Sequence, residues 1–261
     1  DIEFLADLIG PSSLSGNQGR IDVMPAFGRR SLQNPADVLS KISRAYTENV
    51  NSEGRILTVL DQISFLIDQF AKPDRYDAIL IDARAGLHET TATAIMGLGA
   101  EVFLFGLDEP QTFQGYSALL SHLSRFSKFD AVLPPEWLER ISMVQGKAPL
   151  DIELREEFSD RCAKLFIKSG LERSLPAQIV EPLPPAEPFD DVPWDDAVSD
   201  EEVLPSDTRG FREPVAILHD DLFRQFNPKQ RRDLLSEAIY IGSYGLFIER
   251  LMESFPELSA K

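Results

Sequence analysis

The chain has 261 residues, of which 43% are hydrophobic, and its formal net charge is −17 at pH 7. This length and apolar content predict a globular protein with a substantial core, while the acidic balance argues against general binding of DNA or RNA, which needs a basic surface. The longest apolar runs are far shorter than the roughly 20 residues that cross a bilayer, and the first residues do not form a signal peptide, so the sequence predicts a cytoplasmic protein without a membrane segment.

Short apolar runs alternate with longer amphipathic segments along the chain. The runs that predict strands are Arg20–Met24, Tyr76–Ile81, Glu101–Leu107, Ile141–Val144 and Pro214–Leu218. The amphipathic segments predict helices over Asp37–Tyr46, Ile56–Phe70, Glu89–Leu98, Thr112–Phe126, Ile152–Ser169 and Lys229–Phe255. The alternation predicts βα units, and therefore an α/β fold with a mostly parallel sheet flanked by helices on both faces. The near-continuous apolar runs 79–81 and 102–105 predict strands that are buried on both sides.

The segment 175–212 interrupts this pattern. Its central part, residues 181–207, contains six prolines, ten Asp or Glu residues and no Lys or Arg. Clustered carboxylates repel one another and form no core, so we expect a solvated insertion or linker between an α/β domain over 1–174 and the last strand and helix of the same domain over 213–261. Phe189 and Trp194 lie among the acids, either as a docking motif for a basic, apolar groove or as aromatics that fold back on the domain.

Two of the predicted strands are followed by a carboxylate. Asp82 ends the first of them and Gly86 allows a tight turn soon after, an arrangement that suits either a Mg²⁺ ligand beside a phosphate or the N-cap of the next helix. Asp108 follows the second strand in LDEPQTF. Because Pro110 suits the first turn of a helix and helix N-termini need an oxygen acceptor, the pattern favours Asp108 as a helix cap. The single cysteine, Cys162, lies in a helical pattern and is expected to be a small buried residue.

The stretch YDAILIDARAGL, followed by GAEVFLFGLDEPQTFQGYSALLSHL, resembles the ParA/MinD-type branch of P-loop ATPases, of the SIMIBI class. The stretches GRIDVMPAFG, ISMVQGKA and EPVAILHDDLF extend the resemblance to other strands of that family. The resemblance implies a three-layer P-loop NTPase-like fold with ATP and Mg²⁺ as cofactors. It also implies a bacterial regulatory ATPase that acts through a partner protein and that forms a homodimer in many members of the family.

The resemblance also implies roles for single residues. Asp82 would be the magnesium and catalytic carboxylate, and Arg84 would contact a γ-phosphate or a partner's phosphate, unless it forms a salt bridge with a nearby acid. Gly86 would let the backbone approach the nucleotide. Gln145 stands where the family has an adenine-contacting Asn, and His219 lies in the loop that approaches the nucleotide. His88 would either donate a hydrogen bond to a phosphate oxygen or be a surface imidazole.

The phosphate cradle of these ATPases is not visible in the sequence. The chain has neither GxxxxGK[ST] nor KGGxGKS, and SGNQGR at 15–20 precedes a strand instead of opening a helix. We therefore expect a C-terminal piece of a longer protein, with a sheet that is incomplete at the N-terminus and has apolar edges. The alternative is a non-catalytic interaction module with a degenerate ATPase fold that docks partners through 181–207. A flavodoxin-like receiver also ends strands with acids, but it clusters them at its first strand, and the sequence shows no such cluster.

Overall fold

The computed structural model of this protein describes residues 8–15, 19–45, 49–50, 54, 56–72, 75–83, 95, 97–125, 136–171 and 211–255. Its strands are β1 (Gly10–Pro11), β2 (Asp22–Val23), β3 (Asn49–Val50), β4 (Ile56–Leu57), β5 (Val102–Gly106), β6 (Ile141–Ala148) and β7 (Val215–Leu218). Its α-helices are α1 (Arg29–Gln33), α2 (Val38–Ala45), α3 (Val59–Phe70), α4 (Pro110–Ser124), α5 (Glu136–Glu139), α6 (Ile152–Lys168) and α7 (Glu237–Glu253). The chain divides into two compact units, Asp1–Ala83 with Asp220–Lys261, and Arg84–His219.

The first unit has short antiparallel strand pairs and helices. β1 pairs with β2, and β3 pairs with β4. The helix predicted from Ile56 begins only at Val59, because a capping box fixes its start: the Thr58 hydroxyl accepts from the Asp61 N–H and the Asp61 carboxylate accepts from the Thr58 N–H. The helix predicted from Lys229 likewise begins at Glu237, after a 3-10 helix over Arg232–Leu235 and an extended Ser236.

The predicted strand Tyr76–Ile81 is wrong. These residues are described and form neither strand nor helix. The expected burial of run 79–81 is also wrong, since Leu80 is 76% exposed. A strand exists only where a neighbouring backbone completes its hydrogen bonds, and no strand of the described residues pairs with this run. An apolar run can therefore predict a tendency to form a strand without determining that a strand forms.

The second unit contains a parallel sheet in the order β5-β6-β7. Val102 pairs with Ile141 and Gly106 with Gln145, and Val144 pairs with Val215. The predictions of strands over Glu101–Leu107, Ile141–Val144 and Pro214–Leu218 are thus confirmed, as is their parallel direction. With its flanking helices, this sheet agrees with the predicted α/β class.

The core of the second unit lies between one face of this sheet and the helices α4, α5 and α6. Ile141 and Met143 of β6 pack there with Leu120 of α4 and Phe158 of α6, and all four side chains are at most 1% exposed. The Tyr116 hydroxyl of α4 donates to the Leu104 carbonyl of β5 at 2.8 Å. The prediction that β5 is buried on both faces is wrong. Side chains alternate along a strand, and Phe105, which points away from this core, is 59% exposed.

The predicted helices Thr112–Phe126 and Ile152–Ser169 correspond to α4 and α6. The Asp151 carboxylate caps α6 by accepting from the Glu153 N–H at 3.0 Å. The predicted helix Glu89–Leu98 lies largely outside the described residues, as does the acidic segment 181–207. In the part of the chain that the structure describes, no helix combines the length and apolar character that crossing a membrane requires.

Cys162 lies in α6 within the core and is 0% exposed. Burial raises the pKa of its thiol to about 12, because the thiolate would lose its hydration. We therefore expect Ellman's reagent to label the native protein far more slowly than the unfolded protein at pH 8. The chain has one cysteine, so labelling in 6 M guanidinium chloride serves as the internal control. Stoichiometric labelling of the native protein within minutes would contradict the buried position.

Candidate functional site

The carboxyl edge of the β5-β6-β7 sheet is the candidate site in the second unit. Ligands of open parallel sheets bind outside the carboxyl ends of the strands, where the loops into the following helices converge. Here β5 and β6 each lead into a helix within three residues, Leu107–Glu109 before α4 and Pro149–Asp151 before α6. Such short loops fix the groups at the strand ends relative to one another.

Gln145 lies in a row across the sheet with Gly106 and Ala216. It shares the core face with Ile141 and Met143, because side chains alternate along β6. A methyl group on Gly106 would collide with the side chains of Thr112 and Tyr116, so the first turns of α4 lie directly over this row.

The Gln145 side chain is chemically unusual. The residue is only 2% exposed, yet its Nε2 has no hydrogen-bond partner among the described residues. A buried donor without an acceptor costs about 1–3 kcal/mol, so such groups are rare in folded proteins. Within the described residues, β6 therefore carries a buried donor that lacks an acceptor, three residues before the strand ends at Ala148.

Lys147 follows in the same strand and has a left-handed backbone with φ of 52°. Two residues of β6, Gly146 and Lys147, face a single residue of β7, Ile217, because Gln145 pairs with Ala216 and Ala148 with Leu218. This is a β-bulge, which changes the direction of side chains near the end of a strand. A left-handed conformation suits glycine and is strained for lysine.

His219 lies at the same edge, directly after β7. Its backbone N–H donates to the Ala148 carbonyl at 2.8 Å, and its side chain is exposed. Two residues predicted to contact the nucleotide thus belong to the same part of the sheet: Gln145 lies within β6, three residues before its end at Ala148, and His219 directly follows β7.

Asp108 is not a helix cap, contrary to the prediction. The N-cap of α4 is Glu109, which makes no capping hydrogen bond through its side chain. The Asp108 carboxylate instead accepts from Arg161 of α6 at 2.6 Å, and the Arg161 guanidinium lies 4.9 Å from the centre of the Phe113 ring. Asp108 lies one residue before the N-cap, and this position directs its carboxylate to the neighbouring helix.

Asp82 belongs to the first unit and ends an exposed, irregular segment. Arg84 and Gly86, together with His88, lie outside the described residues, so their predicted roles stay predictions. No group of three His, Cys, Asp or Glu side chains that would hold a metal occurs in the described ranges. A lone carboxylate still fits Mg²⁺, because this ion is often bound through one or two carboxylates together with substrate phosphates and water.

Tyr76, in the first unit, belongs to a cluster of hydrogen-bonded side chains that the sequence did not predict. The Tyr76 hydroxyl donates to Asp22 at 2.6 Å, and Arg20 donates to the same carboxylate at 2.9 Å. The hydrogen bond from Tyr76, followed by that from Arg20, lowers the pKa of Asp22, and the same bond to Asp22 raises the pKa of Tyr76. The Asp22 carboxylate is satisfied by these two donors, so the cluster fixes Tyr76 to β2.

Sequence reasoning missed the position of Lys147. The residues QGKAP follow the apolar run 141–144, and a glycine within a strand is a sign of a bulge. Gly146 is that sign in the sequence. The left-handed backbone conformation of Lys147, the next residue, follows only from the register of β6 with β7.

Comparisons with protein-family models, with curated proteins and with solved structures found no match to this chain.

Proposed function

We propose that this protein is an ATP-binding and hydrolysing molecular switch of the ParA/MinD type that acts through a partner protein. The observation that carries the proposal is the buried Gln145 amide, whose Nε2 lacks an acceptor among the described residues. It lies on the central parallel strand, three residues before the carboxyl end, and the sequence resemblance assigns an adenine-contacting side chain to this position.

The chemistry of an amide suits this role. A glutamine presents one donor and one acceptor side by side, and an adenine edge presents the complementary pair. A bound base would supply the missing acceptor without exposing the strand to water. The stabilisation gained on binding would then include relief of the cost of the unpaired donor.

The phosphate side of the site is proposed from the resemblance. Mg²⁺, when bound with ATP, supplies charge neutralisation at the β- and γ-phosphates. Asp82 would bind this ion or one of its water molecules, and Arg84 would contact the γ-phosphate. The proposal also requires a phosphate cradle from a segment other than these 261 residues, because they contain no such motif. A three-layer P-loop NTPase-like fold, assembled as a homodimer in the cytoplasm, is part of the same proposal.

Calorimetric titration of the complete gene product with Mg²⁺-ATP tests the proposal. We expect Gln145→Leu to weaken ATP binding about tenfold while leaving stability unchanged or raised, because it removes a buried unpaired donor. Ser142→Ala is the matched control, since Ser142 lies in the same strand on the opposite face and is also buried with an unpaired hydroxyl among the described residues. It should not change ATP binding.

The same titrations with the Asp82→Ala variant separate the contribution of Mg²⁺ to ATP binding from the contribution of the adenine base. ATP should still bind to this variant, but its affinity should no longer depend on Mg²⁺. Failure of the complete wild-type protein to bind ATP would refute the switch proposal, and the acidic segment 181–207 would then be the part of the chain to test for function.

A further inference from the structure

We propose that Lys147 is a binding residue for the phosphates of the nucleotide, and that the β6 bulge exists to present it. This inference rests on the proposed nucleotide-binding function and extends it to a residue for which that function gave no role. The ligand chemistry is an oligophosphate chain, which the ammonium group would bind by charge and by hydrogen bonds.

The backbone conformation of Lys147 has an energetic cost. Lys147 has φ of 52°, a region in which a residue with a Cβ is strained and glycine is not. A glycine is present in the bulge, but it is the neighbouring Gly146 and does not occupy the strained position. Strained residues persist where the surrounding structure holds them, and they cluster at binding sites.

The described residues give the Lys147 side chain no internal role. Its side chain is exposed, so it fills no core position. The ion pairs of the described residues do not include Lys147, although the chain carries a net charge of −17 and many carboxylates. Neither burial nor an ion pair among these residues offsets the strain.

The position of Lys147 in the sheet also favours contact with a ligand. Lys147 lies two residues beyond Gln145, close to the end of the central strand, and the Ala148 carbonyl next to it accepts from the His219 N–H. The bulge thus places an exposed ammonium group at the carboxyl edge where parallel sheets bind ligands. An anion at this edge would meet the positive charge of a residue two positions beyond Gln145, whose Nε2 lacks an acceptor among the described residues.

Three variants of the complete gene product separate charge from conformation. Lys147→Ala removes the ammonium and keeps the strained backbone, Lys147→Gly removes both, and Lys147→Arg keeps a positive charge. Lys164→Ala is the control for loss of one exposed positive charge elsewhere in the same unit, on α6. Because Lys147 is exposed, we expect all variants to fold, and Lys147→Gly should raise the Tm because it relieves the strain.

The probes are ATP, inorganic tripolyphosphate and adenosine, each titrated by calorimetry. We expect Lys147→Ala and Lys147→Gly to weaken ATP and tripolyphosphate binding about tenfold or more, which is the effect of losing one charge-assisted contact, and to leave adenosine binding unchanged. Lys147→Arg and Lys164→Ala should stay close to wild type. Loss of ATP affinity together with a raised Tm in Lys147→Gly would show that the strained residue is kept for binding.

The outcomes also distinguish this inference from the proposed function. ATP binding that is equal in wild type, Lys147→Ala and Lys147→Gly would overturn the role of Lys147 and leave the ATP switch standing. Tripolyphosphate binding that depends on Lys147, with ATP bound no more tightly and adenosine not bound, would support the phosphate site and overturn ATP specificity. Absence of binding of both ATP and tripolyphosphate to wild type would overturn both.

Discussion

Replacement of Phe158 by alanine should lower the free energy of unfolding of the second unit by about 3–5 kcal/mol. Phe158 is 0% exposed and its ring centre lies 5.4 Å from that of Phe113. The substitution removes a large apolar side chain from water-free surroundings and leaves a cavity between α4 and α6 that the packed neighbours fill only in part. No other predicted change in stability is as large.

Urea unfolding followed by tryptophan fluorescence measures this loss. Trp137 lies in the core of this unit, so its fluorescence reports the transition. The other tryptophan, Trp194, lies outside the described residues. Leu154→Ala is the control in the same helix, because Leu154 is 44% exposed and should change stability by less than about 1 kcal/mol. Equal losses in the two variants would contradict the assignment of the core to the α4–α6 interface.

Replacement of Gly106 by alanine should destabilise the same unit by about 1–3 kcal/mol through overpacking. The added methyl group would collide with Thr112 and with the Tyr116 ring and hydroxyl, all at the first turns of α4. Tyr116 is 7% exposed, so it has little room to move, and its displacement would break the hydrogen bond to the Leu104 carbonyl. The same unfolding transition reports the loss.

Gly115→Ala is the matched control for Gly106→Ala. Gly115 lies within α4, and a methyl group there would meet no atom within 4 Å. Because glycine is unfavourable inside a helix, this variant should be more stable than wild type by about 0.5–1 kcal/mol. Destabilisation by Gly115→Ala, or an unchanged stability of Gly106→Ala, would show that α4 does not pack over the β5–β6 row as described.

The sequence was sufficient for those features that depend on local pattern. The helices α4 and α6 were predicted to within two residues of their bounds, because apolar residues at helical spacing define one buried face. The three strands of the parallel sheet were predicted because short apolar runs separated by helices require crossover connections. The family resemblance, and not the pattern, singled out Gln145 and His219, and their roles in nucleotide binding stay predictions.

Features that depend on distant neighbours were decided by the tertiary structure alone. The run Tyr76–Ile81 has the composition of a strand, but no strand of the described residues pairs with it, and Tyr76 bonds instead to Asp22, 54 residues away. Asp108 has the position of a cap in sequence, whereas Arg161, 53 residues away, takes its carboxylate. The conformation of Lys147 follows from the register between β6 and β7. The lack of an acceptor for the Gln145 Nε2 among the described residues follows from what packs over it. The sequence by itself determined which segments are apolar and periodic, while partners far along the chain decided which backbone and side-chain groups are satisfied.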